Sequence, residues 1–433
     1  MKILVIATYL PPYIGSGNIR VLNYINYLSR LKNNIDVIGV DYPKDAIAYD
    51  KNLENVFDDE INIYRLNPGF IYRIFNRKKT VKTNEKIDNQ SQINLLNRIK
   101  YKLNKFIKLN FLIPDSFIFW IKPAYKKGCE LIKKNNYDLI LSIHETPSSH
   151  IVAYKLKRKF NVKWIGYWSD PWCGDSALRC NGAFLKNKIE EKIEKKIVLG
   201  MDKLLFTTNG TLQSYVKKYN IDEKNVDIVY RGYDPQMYNE IDNQEFDSKY
   251  FKKNKINIVH TGTIYNKLRD IQPLYESLAK LRRNNSEVFN KLNILFIGQF
   301  TEEKDKELLE SIECIKILPL MPFFEAIKFV VHADILLLYG NKNSTQVPGK
   351  LYEYIGSKAT VITILGSEND ESGLIMKKIN KGPIINNTVK ELNNLLLNID
   401  EILYNEKNLI WRNPNLEFTW ENIVNDLENK LKY

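Results

Sequence analysis

Apolar runs of strand length alternate with helical patterns along the whole chain, and that alternation constrains the fold more than any other feature. The first half gives KILVIAT, IDVIGVDY, INIYRL, DLILSIH, VKWIGYW, KLLFTT and DIVYRG. Strands separated by helices imply a parallel sheet. After a stretch read as irregular and polar, from about 235 to 255, the pattern restarts with INIVHTG, NILFIG, IKILPL, ADILLLYG, ATVITILG and PIINN. Two tandem doubly wound α/β domains follow, as a chain of 433 residues requires, because single cores stop growing near roughly 250 to 300 residues. The expected division is a first domain over 1–235, a second over 236–415 and a final segment, 416–433. That segment carries Trp420, Ile423, Leu427 and Leu431 on one helical stripe that must pack on something.

Composition narrows the class. With 44% hydrophobic and 27% charged residues the chain builds packed interiors. MKILVIATYLPP reads as a first strand rather than a signal peptide, since two prolines stand where a cleavage site needs small residues. No run approaches the roughly 18 apolar residues of a membrane span. Cys129, Cys173, Cys180 and Cys314 are scattered without a CxxC pair, so neither a disulfide framework nor a zinc ribbon is indicated, and a reducing cytoplasm fits best.

The net charge of +13 is concentrated, because residues 65–134 hold 17 Lys plus Arg against 4 Asp plus Glu. That segment belongs to an insertion, about 67–136, between the third and fourth strands. Within it LLNRIKYKLNKFIKLNFLI spaces Leu96, Ile99, Leu103, Phe106 and Ile107 as a basic amphipathic helix. Such a helix either meets an anionic membrane surface or packs on its own domain.

Ligands of doubly wound sheets sit at the carboxyl ends of the strands, so the turns there are the candidate sites. After the first strand, Gly15, Ser16 and Gly17 precede a helix bearing Arg20; this is a tight turn or an anion cradle. In the second half Gly262 and Thr263 follow the strand, with Lys267 and Arg269 close behind. Two cations beside a glycine turn suit a diphosphate, although loop cations are more often solvated. TQVPGKLYEYIGSKATVI (345–362) reads as a helix that opens with Pro348 at its first position, leaving the N–H groups of Gly349, Lys350 and Leu351 for an anion. Glu353 lies on the Lys350 face. It either accepts from two ribose hydroxyls or forms a local pair with Lys350.

In motif and order these residues resemble the retaining, nucleotide-sugar-dependent glycosyltransferases of family 4, whose GT-B fold has two facing Rossmann-like domains. YLPPYIGSGNIR resembles their glycine loop, and YWSDPW a subgroup whose fifth strand ends in Asp-Pro-Trp, here Asp170, Pro171 and Trp172. RGYD (231–234) is similar to the Asn-Gly-x-Asp before the second domain, with Arg231 in place of Asn. VHTGTIYNKLRD resembles the turn bearing the phosphate-binding cations, VPGKLYEYIGSKATVI the donor motif, and FTWEN the start of a closing helix that returns to the first domain. Two departures stand out. Thr345 occupies the place of the first of two family glutamates, Glu353 matching the second, and Thr263 replaces an Arg after the glycine.

The resemblance implies transfer of a sugar from a nucleoside diphosphate to an acceptor hydroxyl with retention. His144 and Asp170 would be the catalytic candidates. Gly15, Ser16, Gly17, Thr263, Lys267, Arg269, Gly349 and Lys350 would hold the diphosphate and Glu353 the ribose, with Arg20 and Trp172 in the same cleft. It implies no cofactor beyond the nucleotide-sugar co-substrate and no metal, in keeping with the absence of an Asp-x-Asp triplet. The acceptor would be a saccharide or polyprenyl-linked saccharide, with the basic insertion holding the enzyme at the inner face of the cytoplasmic membrane. Rival readings are a nucleotide-sugar epimerase or hydrolase of the same fold, a member that has lost activity, and a basic nucleic-acid-binding protein. No recognition module supports the last, and no nucleic-acid partner is expected.

Overall fold

The computed structural model describes all residues except 14, 15, 47, 48, 77–105, 107–109, 111, 174–183 and 433. Contacts divide the chain into two compact units, one of residues 1–207, 211–229 and 424–433, the other of residues 208–210 and 230–423. The seven strands expected in the first half and the six in the second all form.

In the first unit, β1 (Lys2–Ala7), β2 (Asn34–Val40), β3 (Asn62–Leu66), β4 (Leu139–His144), β5 (Trp164–Trp168), β6 (Lys203–Phe206) and β7 (Val226–Ile228) pair in the order β3-β2-β1-β4-β5-β6-β7. Every pairing is parallel. Helices cover both faces of such a sheet, so its central strands are apolar without alternation; residues Ile3 to Ala7 are all fully buried. The order reverses between β1 and β4, where Ala7 lies opposite Ile143. A crevice opens at such a reversal because neighbouring connections leave toward opposite faces.

The second unit repeats the design. Its strands β8 (Ile256–Thr261), β9 (Leu292–Ile297), β10 (Ile315–Leu318), β11 (Ile335–Tyr339), β12 (Thr360–Leu365) and β13 (Ile384–Asn386) run β10-β9-β8-β11-β12-β13, all parallel. The reversal here lies between β8 and β11.

The stretch read as irregular after 235 contains a helix, Pro235–Asp242. Asp234 caps it by accepting from the N–H groups of Gln236 and Met237, and Pro235 stands in the first turn, where its missing N–H is harmless. Tyr238 and Ile241 bury its inner face, so two apolar contacts sufficed where the polar composition suggested none. The final helix, Trp420–Lys432, buries Trp420, Ile423, Leu427 and Leu431 as its stripe requires. Its residues from 424 onward group with the first unit, where Glu428 accepts from Asn33 at 2.9 Å.

Part of the insertion belongs to the first core. Phe117 and Trp120 are buried, and the Trp120 indole donates to the Gly39 carbonyl at 3.1 Å. A helix, Ile121–Lys134, follows, ending in Lys133 and Lys134 where cations suit the dipole. Of the five apolar positions that define the expected basic amphipathic helix, Phe106 is exposed and Leu96, Ile99, Leu103 and Ile107 lie outside the described residues. No described helix is long and apolar enough to cross a membrane. Cys129 and Cys314 are free thiols, and Cys180 lies outside the described residues.

Two glycines close the strand ends beside the second reversal. Gly262 follows β8 with φ +96° and Gly298 follows β9 with φ +151°, and a side-chain carbon on Gly298 would strike the Gly262 carbonyl. Gly262 in turn donates its N–H to the Ile297 carbonyl at 2.7 Å. Gly298→Ala therefore has neither the backbone conformation nor the space it needs. Urea unfolding should show the second unit destabilised by about 2 kcal/mol or more, and a change within about 0.5 kcal/mol, the size of an ordinary surface substitution, would contradict this packing.

Candidate functional site

The second unit assembles an electropositive cluster at its strand reversal. β8 ends in His260 and Thr261, and the turn after it carries Gly262 and Thr263. Arg269 is buried there, with 6% exposure. Its Nε and Nη2 donate to Asn341 Oδ1 at 3.2 and 3.0 Å, and its Nη1 donates to the Thr263 carbonyl at 2.5 Å. Asn341 comes from the turn after β11, so this bond spans the point where β8 and β11 part.

Lys350 reaches the same turn. A side-chain carbon on Gly262 would fall 2.9 Å from Lys350 Nζ. The amine hydrogen-bonds to His260 Nε2 at 3.0 Å. His260 Nδ1 lies 2.8 Å from the Leu337 carbonyl and must donate to it. The buried ring is therefore the neutral tautomer, with Nε2 as acceptor and Lys350 as donor. Burial, then Lys350, then Arg269 hold the His260 imidazole well below its usual range. Burial first, and Arg269 second, depress the Lys350 amine in the same way, opposed by Glu353. Burial also lowers the Arg269 guanidinium and raises the Glu353 carboxyl, the latter opposed by Lys350 and Arg231. Arg231 lies against Gly349, where any side-chain carbon would collide with its guanidinium.

Arg231 and Lys350 thus meet the Glu353 carboxylate, whereas Arg269, beside Lys350, is supported by Tyr265, Tyr354 and Asp370, all in partly desolvated surroundings. Such an arrangement favours an anion electrostatically. Of the two cations expected after Thr263, the structure brings Arg269 to Lys350 and leaves Lys267 exposed. The donor helix differs from expectation. It spans Lys350–Ile355 with Gly349 as its cap, and Leu351 N–H donates to the Pro348 carbonyl at 3.0 Å, so it does not face outward for an anion. Pro348 makes this preceding turn instead of the first helical position. The Lys350 amine bonds to His260, not to Glu353, and Thr345 is exposed.

In the first unit the reversal brings Gly17, Arg20 and Glu145 together. Arg20 forms an ion pair with Glu145, and the Glu145 carboxylate lies against Gly17, where a side chain would displace it. The Arg20 guanidinium also sits 5.3 Å from the centre of the Tyr167 ring. Ser16 opens the helix Ser16–Arg30, and Gly15 lies outside the described residues.

His144 ends β4 with 1% exposure, its ring stacked at 4.7 Å on Trp168 and at 5.2 Å on His150. Asp170 is exposed, whereas Trp172 is buried and donates its N–H to Tyr215 Oη at 3.0 Å. His260, Asn341 and Glu145 were not singled out from the sequence. Their partners lie 77, 72 and 125 residues away, and only the strand order reveals those neighbours. Among the described residues no group of three or more His, Cys, Asp or Glu could hold a metal ion.

No family model and no curated protein matches the chain. Solved structures do. A glycosyltransferase from Rickettsia africae ESF-5 is 14% identical with a TM-score of 0.59, over 100% of this chain and 98% of that one. HepE of Anabaena in complex with UDP-glucose is 11% identical with a TM-score of 0.59, over 100% and 99%. A structure described as trehalose-6-phosphate from E. coli bound with UDP-2-fluoro glucose is 10% identical with a TM-score of 0.65, over 100% and 99%. At these identities the likeness establishes the fold, which is of the GT-B type with two Rossmann-like α/β domains.

The depressed Lys350 amine makes stability depend on pH. Between its folded value and the unfolded lysine value of about 10.4, the unfolded chain binds more protons than the native one, so stability rises with pH across that window. Lys381, buried with its amine on the Ser357 and Asn413 carbonyls and pushed down to about 7, acts with the same sign. Thermal unfolding of wild type and Lys350→Met at pH 7 and 9.5 separates the two. The variant's melting temperature should gain relative to wild type at pH 7 compared with pH 9.5, and an offset independent of pH would contradict a depressed Lys350.

Proposed function

We propose that this protein is a nucleotide-sugar-dependent glycosyltransferase of retaining, hexosyl-transferring type that acts on a hydroxyl of a saccharide acceptor. The observation that carries this reading is the cluster of Arg269, Lys350 and Arg231 at the carboxyl end of the second sheet, where three cations meet only the carboxylates of Glu353 and Asp370 among the described residues. Structural neighbours of the same fold hold UDP-glucose and UDP-2-fluoro glucose, which supports a nucleoside diphosphate as the anion.

The chemistry follows from the charges. Cleaving the bond to the anomeric carbon leaves negative charge on the β-phosphate, and fixed cations stabilise that charge most where water is excluded. Arg269, held by Asn341 and the Thr263 carbonyl, offers a preorganised guanidinium, and Lys350 adds a point charge aimed by His260. Glu353 accepts from the ribose hydroxyls. Asp170, exposed after β5, orients sugar or acceptor hydroxyls. His144 handles the donor sugar or a proton only if its stack with Trp168 opens. No resident cofactor or metal is part of this proposal.

The acceptor is proposed to be a lipid-linked saccharide in surface-glycan synthesis. The basic insertion would hold the enzyme at the cytoplasmic membrane face, which co-sedimentation with anionic vesicles reads directly.

Thermal stabilisation by a panel of nucleoside diphosphates and their sugars tests the central assignment. One base should raise the melting temperature by several degrees, and Arg269→Met should remove most of that gain. Proton NMR of the product formed with the matching sugar should show the donor's anomeric configuration retained. Stabilisation by none of the panel would sink the proposal, and donor consumption without an acceptor would favour an epimerase or hydrolase.

A further inference from the structure

A cavity of about 400 Å³, lined by charged side chains and tyrosines, opens in the first unit at the carboxyl ends of β2 and β3. That volume lies in the range of small-molecule sites, roughly 300 to 1,000 Å³. Asp41, Tyr42 and Lys44 line it from the turn after β2, Tyr49 and Glu54 from the segment beyond, and Arg65 from β3.

Three features distinguish this cavity from an ordinary surface hollow. First, Arg65 Nη1 is buried and meets no hydrogen-bond partner among the described residues. Burial lowers the affinity of the guanidinium for its proton, with Asp41 the leading opposing influence. A desolvated donor without an acceptor is unfavourable, and a ligand oxygen would satisfy it. Second, the wall is aromatic and backed by more aromatic rings. Tyr42 is 4% exposed, lies 5.2 Å from the Tyr13 ring and 5.6 Å from Tyr72, and Tyr13 stacks at 4.3 Å on Tyr9. Tyr49 is tethered by a hydrogen bond from its hydroxyl to Glu54. Third, the two cations, Lys44 and Arg65, balance the two carboxylates, Asp41 and Glu54. A cavity of this kind presents donors and acceptors without net charge.

Together these features describe a ligand that is neutral, accepts from a guanidinium, donates to carboxylates and offers C–H faces to tyrosine rings. We infer that this cavity binds a neutral glycosyl unit, with Arg65 donating to a sugar oxygen, Asp41 accepting from a hydroxyl and the tyrosines packing on the ring. Calling that unit the terminal sugar of the acceptor rests on the transferase reading, whereas sugar binding itself does not.

Saturation-transfer NMR with methyl glycosides of glucose, galactose and mannose, and with methyl glucuronide as the charged comparison, tests the inference without any donor present. At least one neutral glycoside should bind the wild type at millimolar concentration, and Arg65→Met should weaken it tenfold or more. Tyr49→Leu, at a half-buried position, should weaken it as well, which guards against an Arg65 variant that fails to fold. Absence of neutral-glycoside binding, unchanged binding in both variants, or binding of the glucuronide alone would each overturn the inference. Nucleoside diphosphate stabilisation measured on the same samples separates the two readings. If it is absent while sugars still bind, the transferase reading falls and the sugar site stands.

Discussion

The ligand-directed features of the second unit hang from one constraint, the divergence of β8 and β11 at the reversal of strand order. Parallel strands whose connections leave in opposite directions cannot close the space above their carboxyl ends with backbone. The chain fills the edges of that space with Gly262, Thr263 and Asn341, none bulkier than an amide. The same divergence lets His260, on one strand, donate to Leu337, on the other. That bond fixes the imidazole tautomer and hence the direction of the Lys350 amine. Topology sets the opening, and a strand-to-strand hydrogen bond sets the charge within it.

That charge is held against solvation. Burial and then Arg269 depress the Lys350 amine against Glu353, and burial depresses Arg269 against Tyr265, Tyr354 and Asp370. Buried charges without full partners are unfavourable for stability, yet they are what a binding site for a polyanion needs in its empty state. A bound anion would oppose these depressions and favour the protonated Lys350 amine. In the first unit, by contrast, Arg20 is already paired with Glu145. The two reversals therefore hold different electrostatics on similar architecture.

Much of this fold could be read from residue order. All thirteen strands announced themselves as apolar runs, because parallel sheets bury both faces and leave little alternation to obscure the signal. The helix Pro235–Asp242 escaped notice because only Tyr238 and Ile241 are apolar and buried, and its cap, Asp234, belonged to the motif before it. Among site residues, Lys350 and Arg269 were legible as cations beside glycine turns. The choice of Arg269 over Lys267 was not, since it depends on Asn341, brought near by strand pairing rather than by sequence. His260 was hidden for the opposite reason: in a buried strand a lone histidine looks like core until its two nitrogens are assigned partners.

Calorimetry addresses the central claim, that Lys350 and its neighbours form a diphosphate site, through its protons. A diphosphate settling beside Lys350 favours the ammonium form and raises a depressed amine toward its ordinary value. Titrating the stabilising nucleoside diphosphate at pH 8 in two buffers of different ionisation enthalpy measures the protons exchanged on binding. Net proton uptake is expected, and it should disappear in Lys350→Met along with most of the affinity. Binding without proton uptake, or with uptake and affinity unchanged in that variant, would contradict the claim.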